Sequence, residues 1–175
     1  MFLSVGMLLC SYYLIHTALY NRSLSLSTRL LQAFSSKKNS LSALPLHISI
    51  GESIRLPVIE AGVVDGKWLV SEDKANHVWS SANPTDDGNI IIYAHNTPPL
   101  FGTLEKVSIG EYVHVVTSDG VDHTYRIISK EVVSPTNTTP LQPTSAETLT
   151  IYTCTGFLDS QRLIIRAMPV DEKGR

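Results

Sequence analysis

Residues 112–133 read YVHVVTSDGVDHTYRIISKEVV, and this stretch decides the fold class. Apolar and β-branched residues alternate with polar ones on both sides of Ser118-Asp119-Gly120, which is the period of a strand with one buried face. A short connection that contains glycine is typical of a tight β-hairpin. The stretch therefore predicts two antiparallel strands, at 112–117 and 121–133.

The same period of two continues in both directions from this hairpin. Further strands rich in Val, Ile, Thr and Tyr are predicted at 47–50, 54–64, 67–70, 89–95, 149–154 and 162–167. The longer connections predict a short helix at 74–79, one helical turn at 102–104, and a loop at 134–148 that contains three prolines. Eight or so short strands with few helices predict an all-β domain folded as a closed or nearly closed barrel.

Length and charge limit the classes of protein that the chain can represent. A chain of 175 residues supports one compact domain and a short extra segment. The formal net charge is −2, and no basic cluster occurs along the chain, which argues against nucleic-acid binding.

Residues 1–20 contain no Lys, Arg, Asp or Glu. At about 1.5 Å per residue in a helix, such a segment can cross the ~30 Å of a bilayer's hydrocarbon core. We interpret it as an uncleaved anchor, because a cleaved signal peptide would have a basic start and a clear small-residue cleavage site. We then expect a stalk at 21–46, the barrel at 47–170 and a polar tail at 171–175.

The orientation of this anchor is in conflict with the charges after it. A count of positive charges would put the domain in the cytoplasm, since four basic residues follow the segment: Arg22, Arg29, Lys37 and Lys38. We favour a start that has lost a basic leader, with the domain on the extracellular side of the cell membrane.

The chain has two cysteines, and Cys10 lies within the apolar segment. Cys154 is therefore the single thiol of the predicted barrel. In an exported domain, an unpaired Cys is a candidate reactive thiol.

Three residue types suited to acyl transfer lie at strand ends. His95 ends the apolar run from Asn89, Cys154 ends the run from Thr150, and Arg162 starts the following strand. A thiolate can attack an amide carbonyl, a His can pass a proton to the leaving amine, and an Arg can stabilise the oxyanion. The alternatives from these residues alone are a small buried Cys, a His that caps a strand and an Arg that serves as a surface charge beside Asp159.

No metal site is predicted. A structural zinc site needs about four ligands, and the other histidines show no paired spacing. We interpret the following as surface or packing residues: His47, His77, His114 and His123.

These motifs resemble those of the sortase family over roughly 47–170. Thr150-Ile151-Tyr152-Thr153-Cys154 is similar to the family's Thr-Leu-x-Thr-Cys signature, with Ile in place of Leu. Ala94-His95 is similar to its small-residue-then-His signature, and Arg162-Leu163-Ile164-Ile165-Arg166-Ala167 to its Arg and apolar strand. Arg166 competes with Arg162 for the Arg role, since alternation puts both on one face.

The resemblance implies an eight-stranded barrel and a cysteine transpeptidase with Cys154, His95 and Arg162 as catalytic residues. Cys154 would attack the Thr–Gly bond of a Leu-Pro-x-Thr-Gly-like sorting signal on a surface protein, and an amine from a cell-wall precursor or a protein lysine would resolve the thioacyl enzyme. The candidate substrate-binding residues are Ala94, Thr153, Pro140, Leu141 and Pro143.

Departures from the family bear on the subclass. Pilin-polymerising sortases often carry an Asp-Pro-aromatic lid, and none occurs in 21–51, which favours a housekeeping-like or class D, E or F-like enzyme. No cofactor is expected. Calcium is not favoured, although one loop contains four acidic residues: Glu72, Asp73, Asp86 and Asp87. The alternative functions are a hydrolase that releases surface proteins and an inactive, peptide-binding barrel.

Overall fold

The computed structural model describes residues 43–170. Its ten strands are β1 (Pro45–Ile50), β2 (Ile54–Ala61), β3 (Val63–Val64), β4 (Lys67–Trp68), β5 (Ala75–Val78), β6 (Asn89–Tyr93), β7 (Tyr112–Thr117), β8 (Asp122–Val133), β9 (Thr148–Thr155) and β10 (Gln161–Pro169). Three 3₁₀ helices are η1 (Phe101–Lys106), η2 (Thr139–Leu141) and η3 (Phe157–Asp159).

Eight of these strands close into a barrel in the order β1-β2-β5-β6-β9-β10-β8-β7, and β3 and β4 form a separate two-stranded hairpin. The prediction of an all-β, eight-stranded barrel is confirmed. Most neighbours are antiparallel, whereas β2 with β5 and β6 with β9 are parallel pairs. Closure leaves the barrel strands without open edges, which limits edge-to-edge association.

The barrel interior is filled by alternate residues of the strands. Ile90 and Ile92 of β6 and Leu149 and Ile151 of β9 pack in the main core, together with Phe101 from η1. The residues between them therefore point away from the interior, to the outer surface of the barrel.

Two sequence predictions about the segment before β6 are wrong. Residues 74–79 do not form a helix, because Ala75–Val78 is the barrel strand β5 and all four of its residues are buried. The predicted strand 54–64 is also divided, since β2 ends at Ala61 and β3 is part of the hairpin. Gly62 lies at the break, where a Cβ would come within 2.7 Å of the Trp79 ring.

The predicted helical turn at 102–104 lies within η1, and the 118–120 hairpin joins β7 to β8. No helix within residues 43–170 is long and apolar enough to span a membrane. The predicted anchor, the stalk up to residue 42 and the polar tail lie outside the described residues.

Candidate active site

Cys154 and Arg162 lie directly opposite one another on neighbouring strands. The antiparallel register of β9 and β10 pairs Arg162 with Cys154, and Leu163 with Thr153. Leu163 and Thr153 are buried, so the Cys154–Arg162 pair lies on the outer face of the barrel. Paired side chains on one face of an antiparallel ladder have Cβ atoms about 4.5–5.5 Å apart, so the guanidinium can reach the space beside the thiol.

His95 approaches Cys154 from the other side of β9. The parallel ladder of β6 and β9 ends with Tyr93 paired to Tyr152, two residues before His95 and Cys154 respectively. One residue further, the Thr153 hydroxyl donates a 2.8 Å hydrogen bond to the Ala94 carbonyl and keeps the strands together. Because Ala94 packs in the core, the alternation directs His95 outward, on the face that carries Cys154.

Cys154 and Arg162 therefore share the outer face of β9 and β10, and His95 follows two residues after the end of β6 on the same side of the barrel. No hydrogen bond joins Cys154 to His95 in the part of the chain that the structure describes. Catalytic hydrogen bonds are often long or poorly aligned in active sites without substrate.

The thiol of Cys154 is partly buried and lies among opposing charges. Burial raises the pKa of the Cys154 thiol, the nearby Arg162 cation acts to lower it, and the Asp159 carboxylate acts to raise it. Because burial dominates, Cys154 rests as a neutral thiol near pH 7. A proton acceptor such as His95 is then needed to form the thiolate.

The Arg162 guanidinium is held by its own turn. Its Nη1 donates to the carbonyl oxygens of Asp159 and Gln161, both at 2.8 Å. A guanidinium has five N–H donors, so three stay available for an oxyanion. The turn that holds it is tight, with Gly156, Leu158 and Asp159 at positive φ.

Arg166, the competing arginine, is placed differently. It pairs with Thr150 on β9, four residues from the Cys154 position, which is about 13 Å along a strand. Its Nη2 donates to the Pro140 carbonyl at 3.1 Å. The register therefore brings Arg162, and not Arg166, beside the thiol.

The predicted substrate-binding residues fall into two groups. Ala94 and Thr153 are both buried and are joined by a hydrogen bond, so they stabilise the strands that carry the site. Their contact with a substrate stays a prediction. Asn89 Nδ2 donates to the carbonyls of Pro140 and Gln142 at 3.0 Å and fixes the proline-rich segment against β6.

Within that segment, Leu141 packs on an apolar cluster of the outer face that also contains Tyr93 and Tyr152. Pro140 is buried, whereas Pro143 is exposed. Leu141 is therefore the member of this group that packs with the aromatic residues of the outer face.

An aromatic cluster beside Cys154 was not predicted from the sequence. Tyr93 and Tyr152 stack with centroids 5.3 Å apart, and Trp68 from the hairpin meets Tyr93 edge-on at 5.1 Å. Burial raises the pKa of Tyr93 to about 12 and that of Tyr152 further. Both phenols stay neutral near pH 7, so neither competes with His95 as a base.

A second cluster places Ser81, His77 and Glu60 in contact. His77 is 1% exposed, and its Nδ1 lies 2.6 Å from Glu60 Oε1 while its Nε2 lies 3.1 Å from Ser81 Oγ. The arrangement is structural, because Ser81 already donates its hydroxyl proton to the Val78 carbonyl and His77 Nε2 faces the Ala82 carbonyl, which can only accept. The interpretation of His77 as a packing residue is confirmed.

Comparison with known proteins agrees with the fold and with the family that the motifs resemble. The family model of the sortase domain matches residues 48–170. Putative sortase YwpE of Bacillus subtilis (strain 168) is 27% identical over 92 residues, which cover 50% of this chain and 89% of that protein.

Among solved structures, sortase A from Corynebacterium diphtheriae superimposes on this chain with a TM-score of 0.63 at 26% identity. The match covers 73% of this chain and 61% of the sortase A chain. Sortase C1 of GBS Pilus Island 1 gives a TM-score of 0.61 at 21% identity, over 71% of this chain and 64% of that one. The chain thus spans less than two thirds of the length of either solved structure. Since the family model covers most of the chain and the barrel is that of solved sortases, the protein belongs to the sortase family.

Proposed function

We propose that this chain is a cysteine transpeptidase that cleaves a Leu-Pro-x-Thr-Gly-like sorting signal of a surface protein and joins the acyl group to an amine. The observation that carries the proposal is the register of three adjacent strands, β6, β9 and β10, which brings one thiol, one imidazole and one guanidinium to the same face. Membership of the sortase family supports the same chemistry.

In the proposed reaction, His95 takes the Cys154 proton and the thiolate attacks the Thr carbonyl carbon. The carbonyl oxygen becomes an oxyanion, which the free N–H groups of Arg162 stabilise. The C–N bond then breaks, the Gly amine leaves with the proton from His95, and a thioester to Cys154 remains.

An incoming amine completes the cycle. It attacks the thioester carbonyl, His95 takes its proton, the C–S bond breaks, and His95 passes the proton to the leaving sulfur, which releases the new amide and the Cys154 thiol. The side chains supply every proton and the oxyanion donor, so this scheme needs no cofactor and no calcium. The amine would come from a cell-wall precursor or a protein lysine, with the enzyme anchored in the cell membrane through residues 1–20 and its barrel on the extracellular side.

Mass spectrometry of the protein with a sorting-signal peptide tests the proposal. The wild type should gain the mass of the acyl portion, and Cys154→Ala should not. Formation of the same adduct by Cys154→Ala would rule out Cys154 as the nucleophile.

The same assay separates the two alternatives. With an added amine, a transpeptidase gives the amide of that amine, whereas a hydrolase gives the free acid in its presence. An inactive peptide-binding barrel would retain the peptide and form no adduct.

A further inference from the structure

One nitrogen of the proposed acid–base residue has no hydrogen-bond partner. His95 Nε2 is out of contact with solvent and unpaired among the described residues, although the side chain as a whole is 39% exposed. The carboxylate of Glu72 approaches this atom, with Oε1 at 3.9 Å. That separation is beyond hydrogen-bond length but within the range of a charge pair.

The loop that carries Glu72 is anchored to β6, the strand that ends two residues before His95. The buried side chain of Asn76 donates from Nδ2 to the Tyr93 carbonyl at 3.1 Å, and its Oδ1 accepts from the Ser71 backbone N–H at 3.0 Å. Glu72 follows Ser71 directly, and His95 lies two residues after Tyr93. The buried side-chain amide of Asn76 thus holds the backbone next to Glu72 close to the backbone that leads to His95.

The neighbouring carboxylate is engaged elsewhere. Asp73 Oδ1 accepts from the Ser71 hydroxyl at 2.9 Å and closes the turn. Glu72 is 94% exposed, so its side chain is free to rotate about a fixed backbone. A movement of about 1 Å brings its carboxylate within hydrogen-bond reach of His95 Nε2.

We propose that Glu72 is a positioning residue for His95. The Glu72 carboxylate accepts a hydrogen bond from His95 Nε2–H when the His95 ring becomes an imidazolium. The inference rests on the proposed function and extends it, because the three assigned catalytic residues include no acidic partner. A charged imidazole has two N–H donors. One N–H group of His95 passes its proton to the leaving amine. The other, Nε2–H, then needs a hydrogen-bond acceptor, and the Glu72 carboxylate lies near enough to be that acceptor.

Kinetics of Glu72→Gln test this role, since the change keeps the side-chain shape and removes the charge. We expect kcat for thioacylation to fall about two- to fivefold with KM unchanged, the size of effect given by an exposed charge pair. Glu72→Asp should recover part of the loss. Asp73→Asn, the matched control in the same loop, should leave kcat unchanged.

Salt gives a readout that a merely structural role would not move. The difference between wild type and Glu72→Gln should shrink at 1 M NaCl, where the screening length is about 3 Å. A loss that appears in KM, that equals the loss in Asp73→Asn, or that persists at high salt would overturn the proposal.

A second measurement separates failure of this inference from failure of the proposed function. Alkylation of Cys154 by iodoacetamide requires the thiolate but no peptide recognition. Glu72→Gln should slow it, and the same change in a His95→Ala background should have no further effect. Equal slowing in both backgrounds would reject Glu72 as a partner of His95, whether or not any peptide is cleaved.

Discussion

At the scale of single residues, the pKa of the Cys154 thiol depends first on burial and then on two neighbours of opposite charge. Burial raises the pKa of the thiol, Arg162 counteracts this and Asp159 adds to it. Alkylation should therefore speed up as the pH rises above neutrality and the thiol ionises. Removing the charge of Arg162 and removing the charge of Asp159 should shift the pKa of the thiol in opposite directions.

We expect Arg162→Met to raise the pKa of the Cys154 thiol further and to slow alkylation at pH 8 about three- to tenfold. Asp159→Asn should lower that pKa and speed alkylation. Iodoacetamide rates measured against pH check both changes. Shifts of the same sign in the two variants would show that packing, and not charge, controls the thiol.

The hydrogen bond behind the site gives a second prediction at this scale. Thr153→Val keeps the side-chain shape but leaves the buried Ala94 carbonyl without the 2.8 Å hydrogen bond. We expect a loss of about 1–3 kcal/mol in the free energy of unfolding, with a lower kcat because β6 and β9 separate near His95.

Urea denaturation and thioacylation rates measure the two effects of Thr153→Val. Thr155→Val, on the same strand and half-buried, serves as the control. Equal stability of Thr153→Val and the wild type would contradict a structural role for this hydrogen bond.

At the scale of elements, β7 and β8 were predictable because their sequences alternate in polarity. The strand β5 does not alternate in this way, and it was not predicted from the sequence. β7 has the predicted bounds and β8 begins one residue later than predicted, because their outer sides meet solvent and the alternation is visible in the sequence. All of Ala75-Asn76-His77-Val78 is buried, so no such alternation marks β5. Its polar side chains are satisfied by distant partners, including Glu60 for His77.

The candidate site was predictable to a similar extent and for a similar reason. Cys154, His95 and Arg162 end or begin strands with recognisable local patterns. The contact of Glu72 with His95 joins residues that are far apart in the chain, and the stack of Tyr93 on Tyr152 depends on a parallel ladder between separate strands. No local pattern encodes either contact.

The loop between β6 and η1 connects His95 to the helix, and its close packing leads to a further prediction. His95 and η1 are linked by the Phe101 N–H, which donates to the His95 carbonyl at 3.1 Å. Gly102 packs so closely that a Cβ would come within 2.5 Å of the Thr97 backbone. Gly102→Ala must therefore displace the loop, and we expect a loss of stability and of kcat, measured by thermal unfolding and by thioacylation.

Gly120→Ala is the control for that change. Gly120 has φ +83 and open space around its position, so the substitution adds about 1–2 kcal/mol of backbone strain without a collision. It should lower the melting temperature and leave kcat intact. A normal kcat in Gly102→Ala would show that the loop can move without moving His95.

At the scale of the whole molecule, the proposed catalysis depends on the barrel, because His95 is brought to the Cys154–Arg162 hairpin by a strand that is distant in sequence. The segments that precede His95 and Cys154 are joined by the parallel pairing of β6 with β9, two strands separated by β7 and β8 in sequence. The barrel closes through pairing of β1 with β7. Ile48 of β1, 1% exposed, packs in the core at this closure.

We expect Ile48→Ala to lower the free energy of unfolding by about 2–5 kcal/mol through the cavity that it leaves. Because a barrel of this size should unfold cooperatively, the loss of thioacylation and the loss of tertiary circular dichroism should share one urea midpoint. That midpoint should move to lower urea by the same amount for both signals in Ile48→Ala, while kcat without urea stays near the wild-type value. If activity disappears at lower urea than the circular dichroism signal, the site opens locally before the barrel unfolds, and it is then held by a local unit rather than by closure.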